Sequence, residues 1–307
     1  MSKGQLDTLF ARCEGAYSEN TLRGYRNDLE HFQAWCAKRD LGWLPAAPAA
    51  IAAFIDEQAK NMSIATIKHR VNAINFAHRM SDLPSPSTNS QVLLALRRAG
   101  RAKGRRPQQA LGLTSELLAK IIAACPESLG GLRDAALISA GYDTLCRSSE
   151  LAAMRVEHLS EDCSRLRVPR SKSDPFGDGR IAYLSPETGE RLVTWLDAAC
   201  LTEGPLFRGL HTAKVSERGL DTSSIRRLIK VAAKRAKFDH EVSRNLSGHS
   251  MRVGAAQDMM LAGIDTIGIM QAGGWRTFAV LARYVENASA EKMHQRRWQR
   301  LDALAAT

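Results

Sequence analysis

"SGHSMRVGAAQDMM", residues 247–260, sets His249 and Arg252 three positions apart at the start of a helix-forming run, with no acid or cysteine between them. That spacing puts both side chains on one helical face, where an imidazole and a guanidinium converge on one small anion. A phosphate suits both. Taken alone, the pair fits a structural role at least as well, because the chain holds 8 histidines and is rich in arginine.

Working outward, the 307 residues give room for two domains, each able to bury its own core, and a hydrophobic share of 44% indicates a globular chain. No run approaches the roughly 18 apolar residues of a membrane span, and "MSKGQLDTLFARCEG" lacks the apolar centre of a signal peptide. These features point to a cytoplasmic protein with no membrane partner. Cysteines 13, 36, 125, 146, 163 and 200 form no Cys-x-x-Cys, which argues against a zinc site or a disulfide framework. No metal or other cofactor is expected.

The net charge of +11 is what a protein meeting nucleic acid carries, although a merely solvated basic surface would give the same sum. Residues 1–110 hold 16 Lys and Arg against 9 Asp and Glu, and the remainder holds 27 against 23. The excess is therefore concentrated at the front.

The first hundred residues predict a compact unit of four helices. "SENTLRGYRNDLEHFQAWCAK" opens on a capping residue, Ser18, with Leu22, Tyr25, Leu29, Phe32 and Trp35 or Cys36 at helical spacing. "APAAIAAFIDEQAK", "SIATIKHRVNAINFAHRM" and "QVLLALRRAG" supply the others. "RRAGRAKGRRPQQ", residues 97–109, carries six basic residues and no acid; it reads as a linker that tracks phosphates or merely solubilises a hinge. The expected organisation is a helical DNA-binding domain over residues 1–98, a basic linker over 99–110 and a second domain over 111–307. In the last, helices surround a small hairpin formed by "SRLRVPR" and "GRIAYLS" across the turn-rich "SKSDPFGDG".

Several further positions share an interest in phosphate. Arg147 stands at a helix start with Glu150 one turn on, Lys172 lies in the hairpin turn, Trp275 follows a glycine pair in "AGGW", and Tyr284 lies in "LARYVEN". Each has a plain alternative: a surface ion pair for Arg147 and Glu150, a solvated lysine, and two core aromatics.

Taken in order, Arg147, Lys172 in a hairpin, His249-x-x-Arg252, Trp275 and Tyr284 resemble the tyrosine recombinase family of site-specific recombinases and phage integrases. "YDTLCR", "SGHSMRVGAAQDMMLAG" and "IMQAGGW" carry the likeness, with tryptophan where most of the family has histidine. It covers nearly the whole chain, the linker and residues 200–245 least. The resemblance implies a mainly α fold with a small antiparallel β-sheet, its two domains closing on duplex DNA as a C-shaped clamp. It also implies an enzyme that cleaves and rejoins DNA through a 3′-phosphotyrosyl bond and a Holliday junction, needing neither ATP nor metal. In that scheme Tyr284 is the nucleophile, Arg147 and Arg252 hold the non-bridging oxygens through planar forks, and His249 assists as base or hydrogen-bond donor. Lys172 protonates the departing 5′ oxygen, Glu150 orients its neighbours, and Trp275 offers an indole N–H and packing.

The expected partners are duplex DNA carrying specific recombination sites and further copies of the chain, monomeric without DNA and tetrameric on two sites. Expected DNA contacts are Arg23, Arg26, Lys68, His69 and Arg70 from the first domain, Arg101, Lys103, Arg105 and Arg106 from the linker, and Arg226, Arg227 and Lys230 from the second. "RRWQRLDALAA" near the end sets Trp298, Leu301 and Leu304 in a narrow apolar stripe, for docking on a neighbouring protomer or packing on its own domain. The competing functions are a type IB topoisomerase-like relaxase, which uses similar residues, and an inert accessory factor that keeps only DNA binding.

Overall fold

Helix α1 (Lys3–Ala11) opens the chain, and composition did not announce it. The computed structural model describes residues 3–103, 109–169, 179–212, 214–286, 294–295 and 297–299. It forms two compact units, Met1–Gln108 and Gln109–Thr307. Among its described residues the first holds five α-helices rather than the four expected. Only nine residues long and polar on one side, α1 is held by tertiary packing: Leu6, Leu9 and Phe10 are buried, and the Phe10 ring lies 5.8 Å from that of Phe76.

Two of the other helices start on a serine that caps a free N–H group, and a third starts on a proline that has no N–H to cap. Ser18 Oγ accepts the Thr21 N–H at 3.3 Å to cap α2 (Glu19–Ala37), and Pro48 takes the first position of α3 (Pro48–Gln58). Ser63 Oγ accepts the Thr66 N–H at 3.1 Å to cap α4 (Ile64–Met80). The apolar positions read from α2 and α4 meet in one core, with Phe32 5.0 Å from Phe54 and Leu29, Ile67, Val71 and Ile74 buried beside them. Helix α5 (Ser90–Lys103) extends further than its composition indicates. Residues 97–103, expected as linker, are its last turns, and Ala99 is buried in the core. Gly100 lowers helix propensity there without ending the helix, because one face is packed. Arg105 and Arg106 lie outside the described residues, while Arg101 is exposed on α5.

The second unit follows in the order α6 (Ser115–Ala123), α7 (Leu129–Asp143), α8 (Ser148–Ala152), β1 (Arg165–Val168), β2 (Arg180–Tyr183), α9 (Pro186–Ala198), β3 (Arg208–His211) and β4 (Lys214–Gly219). Then come α10 (Thr222–Arg235), α11 (His240–Asn245), α12 (Ser250–Leu261), α13 (Thr266–Gly273) and α14 (Phe278–Val285). Helix α7 is buried along most of its length, and Trp195 closes the same core with its indole N–H on the Leu206 carbonyl at 2.8 Å. The expected hairpin is present as antiparallel β1 and β2, pairing Val168 with Arg180. A second hairpin, β3 with β4, was not anticipated; it falls in the polar stretch where apolar alternation is weakest.

Glycines let α12 approach its neighbours. A side chain at Gly254 would meet the Leu113 carbonyl at 1.9 Å, and the Leu113 N–H donates to the Ser250 carbonyl at 2.7 Å. Gly248 leaves room for Ser148, whose hydroxyl donates to the Gly248 carbonyl at 3.0 Å. The start of α12 is thereby tied to the start of α8, and with them His249 to Arg147.

Candidate active site

Arg147 is delivered by a strained turn. Helix α7 ends at Thr144, Leu145 takes a positive φ of 51°, and α8 begins with Arg147 as its N-cap. A left-handed leucine costs of order 1–3 kcal/mol and persists only when its surroundings hold it. Here the side chain is buried and the Leu145 carbonyl accepts a hydrogen bond from Arg252 Nη1. Glu150 fixes the next residues: its carboxylate accepts the Arg147 backbone N–H at 3.0 Å and the Arg147 guanidinium at 2.6 Å. Glu150 is buried and Arg147 keeps 24% of its side chain exposed, so the pair is no surface ion pair. The guanidinium is anchored at one end and open at the other.

His249 caps α12, and Arg252 lies one turn in. Arg252 is 0% exposed, yet its Nε and Nη2 have no hydrogen-bond partner among the described residues. Its guanidinium carbon sits 4.1 Å from the centre of the Trp275 ring and 5.5 Å from that of Tyr284. Two buried cationic donors left open are costly, and an anion would satisfy both.

Tyr284 comes from α14, with its backbone carbonyl held by Gln257 Nε2 at 3.3 Å. Its hydroxyl lies 2.5 Å from His249 Nε2, and its ring meets Trp275 edge-on at 4.9 Å. Trp275 reaches this place because the preceding two residues are glycines. Gly274 ends α13 with a φ of 63°, and a side chain on Gly273 would meet the indole at 2.1 Å. The Trp275 N–H is buried without a partner among the described residues.

Burial, followed by the positive charges of Arg252 and Arg147, holds the His249 imidazole below its ordinary pKa, with Glu150 opposing. The ring is therefore neutral at pH 7, able to accept a hydrogen bond from the phenol. A cavity of about 440 Å³ opens beside these groups, walled by Arg147, Glu150, Val168, Arg180, Met270 and Trp275. Among the described residues no cluster of three His, Cys, Asp or Glu has the arrangement of a metal site.

Of the seven anticipated site residues, Arg147, Glu150, His249, Arg252, Trp275 and Tyr284 come together in the second unit, and Lys172 lies outside the described residues. Gln257 went unnoticed, although eight positions past His249 it shares that residue's face of α12. Arg180 went unnoticed as well.

The basic residues expected at DNA divide. Arg23, Lys68, Arg226 and Arg227 are exposed, and Lys230 is half-buried with its ammonium on the Arg244 carbonyl at 3.4 Å. Arg26 is engaged with Asp7 and stacks 4.6 Å over Phe10, and His69 is held by Asp28 at 2.5 Å. Arg70 departs from expectation: it is buried, with Asp28 at 3.6 Å and a hydrogen bond to Gln58. Three consecutive residues of a helix cannot share one face, and Arg70 follows the turn of Ile67, Val71 and Ile74 inward. Trp298 is exposed, and Leu301 and Leu304 lie outside the described residues.

Residues 112–291 match the phage integrase family, and residues 7–79 match its N-terminal SAM-like domain. The chain belongs to the phage integrase family of tyrosine recombinases. It is 30% identical over 305 residues to the recombinase Cre of Escherichia phage P1, covering 91% of this chain and 88% of that one. Its fold is shared with the integrase of transposon Tn1549, solved in complex with circular intermediate DNA, at a TM-score of 0.67 and 15% identity over 95% of this chain and 98% of that one. It is likewise shared with lambda integrase, solved as a tetramer on a Holliday junction, at 0.64 and 16% over 91% and 75%. The family's fold, mostly helical with small antiparallel hairpins, is thus met here, with both described hairpins in the second unit. Among the described residues no helix is long and apolar enough to cross a membrane.

Proposed function

We propose that this chain recombines DNA at specific sites by making Tyr284 the covalent carrier of a cleaved strand. The observation that carries the reading is Tyr284 Oη 2.5 Å from a neutral His249 ring, beside a buried Arg252 with two open donors. A scissile phosphate entering there would have its non-bridging oxygens bound by Arg147 and Arg252, whose charge opposes that building in the transition state. The phenol gives its proton to His249 Nε2 as its oxygen attacks phosphorus in line. The P–O5′ bond breaks, Lys172 gives the 5′ oxygen a proton, and a 3′-phosphotyrosyl ester remains. A 5′ hydroxyl from a second duplex then attacks that ester, the proton returns to the phenol, and no external energy source is used.

One such exchange produces a Holliday junction and a second resolves it, so four copies of the chain act on two sites. The domains that serve this reading are a helical DNA-binding unit that runs through the end of α5 and a catalytic unit over residues 111–307. Arg23, Lys68, Arg226, Arg227 and Lys230 supply phosphate contacts, joined by Arg101 and Lys103 of α5 and, in the basic stretch that follows in sequence, Arg105 and Arg106.

A supercoiled plasmid carrying two directly repeated target sites tests the reaction class. Excised circles are the expected product; relaxed plasmid of unchanged length would mark a topoisomerase-like enzyme, and unaltered plasmid with tight binding an accessory factor.

The His249 environment makes a separate prediction about protonation. In the DNA-free protein, the imidazole resonance missing from His249→Asn titrates below 6.5, the ordinary histidine value. Because the unfolded chain takes up that proton first, the fold loses a little stability as pH falls from about 6.5 through the lower value. A midpoint at or above 6.5 would contradict the neutral acceptor.

A further inference from the structure

Arg180 is the first residue of β2, where an alternating strand pattern suggests nothing but a surface cation. Its guanidinium instead reaches the turn before α8. Nη2 donates to the Thr144 carbonyl at 2.5 Å and lies 3.5 Å from Cys146 Sγ. The Cys146 thiol, pushed up to about 11 by burial, stays protonated and neutral, so the contact is a polar anchor rather than an ion pair.

These partners surround the strained residue. Thr144 and Cys146 flank Leu145, whose own carbonyl is taken by Arg252. Two guanidiniums from separate elements, β2 and α12, therefore hold the successive carbonyls of residues 144 and 145. The carbonyl at the end of α7 also lies at the negative end of that helix, where a cation is favoured. Arg147 follows directly, and the direction of its side chain depends on this turn. On its other side Arg180 lies against Gly274, where an added side chain would stand 3.4 Å from Cδ. It also walls the same cavity as Arg147 and Glu150.

We propose that Arg180 is a positioning residue that acts through Arg147: it holds the Thr144–Cys146 turn so that the Arg147 guanidinium meets the scissile phosphate. This rests on the recombinase reading above.

The test is a double-mutant cycle read as single-turnover accumulation of radiolabelled covalent adduct on a short duplex target, with DNA affinity and thermal unfolding measured alongside. Arg180→Met is expected to slow adduct formation by about 10²-fold, the scale of a misplaced reacting group, with affinity and melting temperature retained. In an Arg147→Met background, the same change is expected to cost less than about twofold, because nothing remains to be positioned. If Arg180→Met disturbs folding, Arg180→Lys decides: it keeps one donor for Thr144, and its smaller loss must likewise vanish when Arg147 is absent. Wild-type rates in Arg180→Met overturn the proposal. So does a loss of equal size in both backgrounds, which would make Arg180 an independent phosphate contact. If the parent protein itself forms no Tyr284 adduct, the recombinase reading has failed first; a parent that forms it at the rate of Arg180→Met sinks only this inference.

Discussion

Tyr284→Phe is expected to abolish covalent protein–DNA adducts, with no residual trapping on a nicked target duplex, while affinity for the intact duplex stays within about twofold. The ring contacts explain why binding survives. Phenylalanine keeps the edge-on approach to Trp275 at 4.9 Å, the contact with Arg252 and the Gln257 bond to the backbone carbonyl, so α14 has no reason to move. Only the oxygen is lost. The neighbouring Tyr142 is no substitute, since its hydroxyl is committed to Asp258 at 2.6 Å and held protonated by burial and that carboxylate. Electrophoresis of labelled DNA under denaturing conditions reads the result. Adducts persisting in Tyr284→Phe would place the nucleophile elsewhere and remove the basis for every role assigned around it.

Arg252→Lys should slow cleavage by about 10²–10³-fold, the usual loss when one preorganised donor to a developing anion is removed. The geometry sets this expectation. Arg252 spends Nη1 on the Leu145 carbonyl and keeps Nε and Nη2 open, a division of labour that one ammonium cannot reproduce. A lysine also gives up part of the planar stacking on Trp275, where the guanidinium carbon stands 4.1 Å from the ring centre. The loss belongs in the rate of adduct formation rather than in duplex affinity, since the open donors are matched to charge that grows during the reaction. Rapid-quench kinetics with a parallel binding titration separate the two. A variant that binds weakly but cleaves at the parent rate when saturated would reduce Arg252 to a DNA contact.

Much of this site was legible in the sequence, the two pairs through helical spacing and Trp275 and Tyr284 only through the ordered set of residues that resembles the recombinase family. His249 and Arg252 lie one turn apart on α12, and Arg147 and Glu150 one turn apart at the start of α8, so local spacing alone placed each pair together. What joins the pairs is tertiary and left no local trace. The Leu145 carbonyl, the Gln257 bond to Tyr284 and the reach of Arg180 to Thr144 each connect residues separated by 27 to 107 positions. The same limit governed the fold. Helices with a full apolar face were readable, whereas α1 owes its order to the Phe76 ring and α5 runs through a basic stretch because Ala99 is packed. Arg70 shows the converse error: a charged residue was taken for surface because its partners, the buried Asp28 and the half-buried Gln58, lie 42 and 12 positions earlier.

The glycine pair before Trp275 has an evolutionary reading. With the indole in place, residue 273 tolerates no β-carbon, since one would stand 2.1 Å from the ring. A lineage that diversifies position 273 must therefore first exchange this tryptophan for a smaller ring, so the two changes come in a fixed order. Descendants that kept the indole remain confined to glycine there, which couples position 273 to position 275 across Gly274.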